Sequence, residues 1–289
     1  MIGKAACRGA ATIVNAIATG KGAAFGISLE VDAVVELVDA PGKIVLRDSP
    51  EGADLVAGCV MAVAKKVRGE TGLSGEVHIK SEIPVSRGLK SSSAVSNAVV
   101  LATTRALGTD LPDMELLLTG IEESMKAGVT ITGAFDDASA CYFGGVVVTD
   151  NRNFRILHRG TMDPDLEVLL HVPDRRITKA SVKGLDFSQI RKDVEKAYEL
   201  AMAGNYLKAM EVNSRAYSKV LDVSEDVVEL ARKKGALAAG ISGTGPATAI
   251  LCDRAKIGVI MQALQGLEGT VLRARINDSP AREVVPRLL

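Results

Sequence analysis

Residues 84–94 read Pro-Val-Ser-Arg-Gly-Leu-Lys-Ser-Ser-Ser-Ala and run without a break into a helical pattern, Val95–Leu107. A flexible glycine (Gly88), a lysine (Lys90) and three serines (Ser91, Ser92, Ser93) thus sit where a helix should begin. The first turn of a helix leaves backbone N–H groups unpaired and carries partial positive charge, so it attracts anions, phosphate above all. The hydroxyls can bond phosphate or ligate Mg²⁺, and Lys90 adds a full positive charge. Taken alone, the stretch is equally consistent with an ordinary serine cap behind a surface loop.

The chain has 289 residues, enough for two domains or one large one. Apolar residues make up 47%, yet Trp is absent and aromatics are 3%, so the core must be built from Val, Leu, Ile and Ala. The 35 basic and 35 acidic residues cancel, leaving no global field for nucleic acid or an anionic membrane. Stacking platforms for single-stranded nucleic acid are also missing. Neither nucleic acid nor membrane is expected as a partner. Cys7, Cys59, Cys141 and Cys252 lie far apart, with no C-x-x-C pair and no neighbouring histidine. That argues against a zinc site or a disulfide framework and for buried free thiols in a reducing compartment. No signal-peptide apolar run opens the chain, and no segment approaches the ~20 apolar residues of a membrane span. The expectation is a soluble cytoplasmic protein.

Working outward from residue 84, strand patterns are expected at Ile27–Val38, Lys43–Arg47 and Gly75–Ser81, with a helix over Asp54–Arg68. Downstream come helices at Pro112–Lys126 and Phe135–Cys141, then a buried strand at Gly144–Val148. Beyond Asp150 the character changes. Strands at Arg155–His158 and Glu167–Val172 precede a helical region, Phe187–Lys234, broken near Gly204 and Asp222. The chain closes with strand, glycine turn and strand (237–251), a helix near 255–265 and a strand at 269–276. Strands and helices without regular alternation indicate an α+β fold. Two domains are expected, 1–155 and 156–289.

Three further segments carry chemistry. Gly240–Pro246, G-I-S-G-T-G-P, lies between two strand patterns; glycines there permit close backbone approach and an anion nest, or merely a tight hairpin. Gly9–Gly26 is rich in Ala and Gly with Thr12, Asn15, Thr19 and Lys21 interspersed. It reads as a closely packed strand and turn, but Lys21 between two glycines also suits a transferring phosphate. Thr132–Ser139, T-G-A-F-D-D-A-S, sets Asp136 and Asp137 at a helix start, as dipole partners or as a catalytic base. Glu122 and Glu123 offer a metal-binding carboxylate or a solvated face. The P-loop pattern G-x-x-x-x-G-K-[ST], the protein-kinase signatures and the G-x-S-x-G elbow are absent. His78, His158 and His171 fall in strand patterns and read as structural.

These segments, in this order, resemble the galactokinase, homoserine kinase, mevalonate kinase and phosphomevalonate kinase superfamily, the GHMP kinases, over nearly the whole chain. Residues 10–22 look like the first motif in its homoserine kinase form, 84–94 the phosphate loop P-x-x-x-G-L-G-S-S-A-A, 133–137 the segment carrying the catalytic carboxylate, and 240–247 the third motif. Lys90 stands where the family usually has glycine, and Ser93 replaces its first alanine. In these variants the chain is most similar to the archaeal shikimate kinase branch.

The resemblance implies a ribosomal protein S5 domain 2-like N-terminal domain, a ferredoxin-like C-terminal domain, and ATP with Mg²⁺. It implies that Pro84, Val85, Ser86, Arg87, Gly88, Leu89, Lys90, Ser91, Ser92, Ser93 and Ala94 hold the nucleotide. Ser92 and Glu123 are the metal candidates, Asp136 and Lys21 the catalytic pair. Asn15, Arg175, Thr178, Lys179, Ser242, Gly243, Thr244 and Gly245 are expected at the acceptor, with Arg87 and Arg176 as further cations for a carboxylate. The implied reaction is phosphorylation of shikimate to shikimate 3-phosphate. Homoserine kinase, another GHMP small-molecule kinase or a silent nucleotide-binding scaffold are the alternatives.

Overall fold

A computed structural model describes residues 1–47, 52–69, 72–130, 133–177, 182 and 184–287. Its frame is two long antiparallel strands, β1 (Ile2–Val14) and β2 (Lys21–Val38). The other edge of β2 is shared. Val31–Val38 pairs with β4 (Ser74–Ser81), and Lys21–Phe25 pairs with β5 (Val146–Asp150). β3 (Ile44–Leu46) joins β4 in parallel and β6 (Arg155–Gly160) joins β5, completing a six-stranded sheet. This sheet therefore runs through Gly160, and the next strand begins at Glu167.

The strand expected from Ile27 starts six residues earlier, at Lys21. Residues 21–26 show no alternation because both faces of β2 are covered there: Ala23, Ala24 and Phe25 are all fully buried. The same burial explains β1, whose small residues let α2 (Ser91–Ala106) lie directly on the sheet. A Cβ added to Gly3 would stand 2.0 Å from the Ala102 carbonyl oxygen. Gly3→Val is therefore expected to cost about 3 kcal/mol, read as a lower urea midpoint at unchanged slope. α1 (Ala53–Arg68), α3 (Asp113–Lys126) and α4 (Phe135–Phe143) pack around α2. Thr103 and Thr104, buried mid-helix, return their hydroxyls to the carbonyls of Val99 and Val100 at 2.7 and 2.8 Å.

The second half runs β7 (Glu167–Val172), α5 (Arg191–Met202), α6 (Tyr206–Tyr217), α7 (Asp226–Lys233), β8 (Ala238–Ile241), β9 (Thr248–Cys252), α8 (Ile257–Leu264) and β10 (Thr270–Arg275). Its antiparallel sheet has the order β10-β7-β9-β8, the expected ferredoxin-like plan, with α5, α6 and α7 in the first crossover. Val168 and Leu170 of β7 face the main core while Leu169 faces a smaller one, so the strand reads as an unbroken apolar run. α6 touches both β1 and β8, joining the halves. The C-terminal segment recrosses the first half, where Arg282 pairs with Asp113 at 2.6 Å. All four cysteines are free and buried. Among the described residues no helix is long and apolar enough to cross a membrane.

Candidate active site

One cavity of about 550 Å³, within the range of ligand clefts, brings the separated motifs together. The head of α2 forms its floor. Gly88 at φ +88° and Lys90 at φ +65° turn the chain into the helix, and Ala94 N–H is the first to close, onto Lys90 O at 3.0 Å. The amides of the first turn are thus left for a ligand, and no acidic residue competes for them. Pro84 through Ser93 all line the cavity; Ala94 turns into the core instead. Arg87 contributes a buried Nη1 with no hydrogen-bond partner, a donor suited to an anion.

The 240–246 turn docks on this loop from the second half. Ser242 Oγ donates to Gly88 O at 2.7 Å and accepts the Thr12 N–H at 3.2 Å, while Ala247 N–H donates to Arg87 O at 3.1 Å. A Cβ on Gly88 would fall 2.1 Å from the Ser242 carbonyl oxygen, so only glycine permits the fit. Asn15 Nδ2 donates to Gly243 O at 2.8 Å, and the Asn15 backbone N–H donates to Asn213 Oδ1 at 2.9 Å. Tyr217 fixes the β1–β2 connection by donating to Asn15 O and accepting from Ala18 N–H.

Across the cavity α4 begins after two left-handed residues, Gly133 and Ala134. Its first turn presents Asp136 and Asp137 to the cavity. Asp136 is buried against Gly22 of β2 and accepts a 2.7 Å hydrogen bond from Asn151 Nδ2. Asn151 is oriented in turn by Thr149, whose Oγ1 donates to Asn151 Oδ1 at 2.7 Å. Burial, and then the charge of Asp137, push the Asp136 carboxyl up to about 7, against the opposing pull of Lys90 and Asn151. Lys90 Nζ lies 2.9 Å from Asp137 Oδ1 and donates to Thr12 Oγ1 at 2.7 Å.

The other expected residues divide between the cavity and positions outside it. Lys21 and Gly22 occupy opposite faces of β2; Gly22 faces Asp136, whereas Lys21 Nζ stands 5.3 Å from the Tyr198 ring centroid. Glu123 is paired with Lys126 and abuts Gly58, outside the cavity lining. Among the described residues no cluster of three or more acidic, His or Cys side chains forms a metal site. Arg175 pairs with Asp222 on the exposed surface. Gly243, Thr244, Gly245 and Asn15 line the cavity, and Ser242 serves as the tie behind them. Thr178 and Lys179 lie outside the described residues. Sequence reasoning missed Gly22 and Asn151; the polar run Thr149-Asp150-Asn151 after a buried strand was the one available signal, and it reads as a hairpin turn.

Anion donors and a buried, ionisable carboxylate facing one cavity suit transfer of a phosphoryl group to an alcohol. Comparison with known proteins agrees. The family model for the GHMP kinases N terminal domain matches residues 54–145, and that for the GHMP kinases C terminal matches 190–266. A shikimate kinase of Methanosarcina mazei is 40% identical over 284 residues, covering 96% of each chain. One of Pyrococcus furiosus is 42% identical over 247 residues, 84% of this chain and 89% of its own. Among solved structures, homoserine kinase from Cytophaga hutchinsonii superposes with a TM-score of 0.76 at 19% identity, covering 96% of both chains. Mevalonate kinase of L. major, in complex with R-mevalonate, gives 0.73 at 18% identity and the same coverage. These two likenesses are of fold.

Proposed function

The chain belongs to the GHMP kinases, and from that membership we propose that it phosphorylates a hydroxyl of shikimate with ATP. The curated relatives named shikimate kinase, about 40% identical over nearly the full length, support the acceptor. The observation that carries the chemistry is the buried Asp136 carboxyl facing the same cavity as the open head of α2.

In this reading the first-turn amides, the hydroxyls of Ser91–Ser93 and the free Arg87 nitrogen hold the phosphates. Mg²⁺, when bound with the nucleotide, supplies neutralising charge on the phosphate oxygens. Ser92, lining the cavity in that first turn, suits it, whereas Glu123 is engaged by Lys126. Asn15, Thr244 and the glycines beside it line the cavity for the acceptor. Asp136 takes the proton of the acceptor hydroxyl as its oxygen bonds the γ-phosphorus. The bond from that phosphorus to the bridging oxygen breaks, and ADP departs.

Asp136 acts only when ionised. With its carboxyl held near 7, kcat rises with pH through about 7 and levels off above it. A profile of kcat between about pH 5 and 9 checks this; a profile nearly flat over that range, as a carboxylate titrating at the ordinary value of about 4 would give, would remove Asp136 from the role. The reading as a whole is tested by ADP release with Mg-ATP and shikimate, homoserine, mevalonate or galactose. Turnover is expected with shikimate. Turnover with homoserine alone would replace the acceptor, and release with none would leave a silent scaffold.

A further inference from the structure

Lys90 is held at two costs. Its φ of +65° is the left-handed region, which disfavours a residue with a Cβ by about 1 kcal/mol or more. Its side chain is also only 5% exposed, so the ammonium has lost most of its hydration. Such an arrangement persists only where its surroundings hold it. Here they do: Nζ donates to Thr12 Oγ1, which itself accepts the Gly243 N–H at 2.8 Å, and Nζ lies against Asp137. A Cβ on Gly243 would come within 3.0 Å of Nζ. The backbone of Lys90 therefore belongs to the anion-binding turn, but its charge is directed away, to the acid pair. Lys21 stands on the other face of β2 over Tyr198.

We propose that Lys90 is a positioning residue for phosphoryl transfer: its ammonium neutralises Asp137, leaving the adjacent Asp136 as the one proton acceptor. This rests on the phosphotransfer reading above. The groups facing Asp136 are Asp137 and Cys141 of its own helix, Lys90 at the head of α2, Asn151 after β5, and Tyr217 of α6. Of these only Lys90 brings positive charge. Without it, Asp137 becomes an unpaired anion beside a second carboxylate, and two such neighbours resist ionising together. Asp136 then keeps its proton to higher pH.

The test is a ¹³C NMR titration of protein labelled at the aspartate carboxyls, with Asp136 identified by the signal lost in Asp136→Asn. Lys90→Gly, which accommodates the left-handed backbone, and Lys90→Met are both expected to raise the Asp136 midpoint by about 1–3 pH units. Lys90→Arg should restore most of it. Asp137→Asn added to Lys90→Gly should also restore it, because the charge that needed neutralising is gone. The rising limb of kcat should move with the NMR midpoint, while KM for ATP changes less than about twofold. An unmoved midpoint in a variant that melts like wild type overturns the proposal, as does a shift that survives Asp137→Asn. A raised KM for ATP at unmoved midpoint also overturns it and gives Lys90 to the phosphates. The titration needs no substrate, so an inactive wild type on shikimate would sink the acceptor assignment separately.

Discussion

Asp136→Asn is expected to lower kcat by about 10²–10⁴-fold while leaving KM for ATP within a few fold. The amide matches the carboxylate in size, and its oxygen can still accept the Asn151 hydrogen bond, so the wall of the cavity should keep its shape. What is lost is the capacity to accept a proton. The proposed nucleotide side is the head of α2 and the loop before it, which do not include Asp136. Stability should move the other way. The folded protein binds the Asp136 proton more tightly than the unfolded chain, so ionising it opposes folding. That penalty is absent below about pH 4, grows as pH rises, and is complete above about 7. The variant should therefore match or exceed wild-type Tm at pH 8 and lose that advantage near pH 4. Near-normal turnover in a correctly folded variant would end the assignment.

Gly22→Ala should be almost as damaging although it removes no reacting group. The added Cβ would stand 2.3 Å from Asp136 Oδ2 and 2.6 Å from its carboxyl carbon. β2 cannot retreat, because β1 holds one edge and β5 the other. The carboxylate must swing instead, and a displacement of about 1 Å at a reacting group costs on the order of 10² in rate. Overpacking should also remove about 1–3 kcal/mol of stability. A wild-type kcat in Gly22→Ala, measured on protein that melts cooperatively, would mean that Asp136 is not held where the chemistry needs it.

The parts of the site readable from sequence are those whose physics is local. A serine-rich helix start exposes its amides whatever surrounds it, and Asp136 at the start of α4 was legible for the same reason. Facing was not legible. Lys21 and Gly22 differ by one residue, yet strand alternation places only Gly22 against Asp136, and nothing near residue 22 announces a partner at 136. Glu123 stands on a helix whose packing against α1 decides its direction. The contacts of the Lys90 ammonium were equally hidden, because Thr12 and Asp137, which it touches, are distant in the chain. In the fold, β1 and the start of β2 were the faint elements, since alanines and glycines buried on both faces carry no periodic signal.

The docking of Ser242 and Ala247 on residues 87 and 88 has a mechanical consequence. Many two-part enzymes admit ligands like a clamshell, swinging one part about a hinge. Here the would-be jaws are latched at residues 87 and 88, within the loop proposed to hold the phosphates, by hydrogen bonds and by a contact too close for any side chain on Gly88. Nucleotide entry is then expected without parting the halves, and Leu46, Val129 and Thr130 of the first half line the same cavity. A covalent staple across the latch would accordingly leave nucleotide exchange intact.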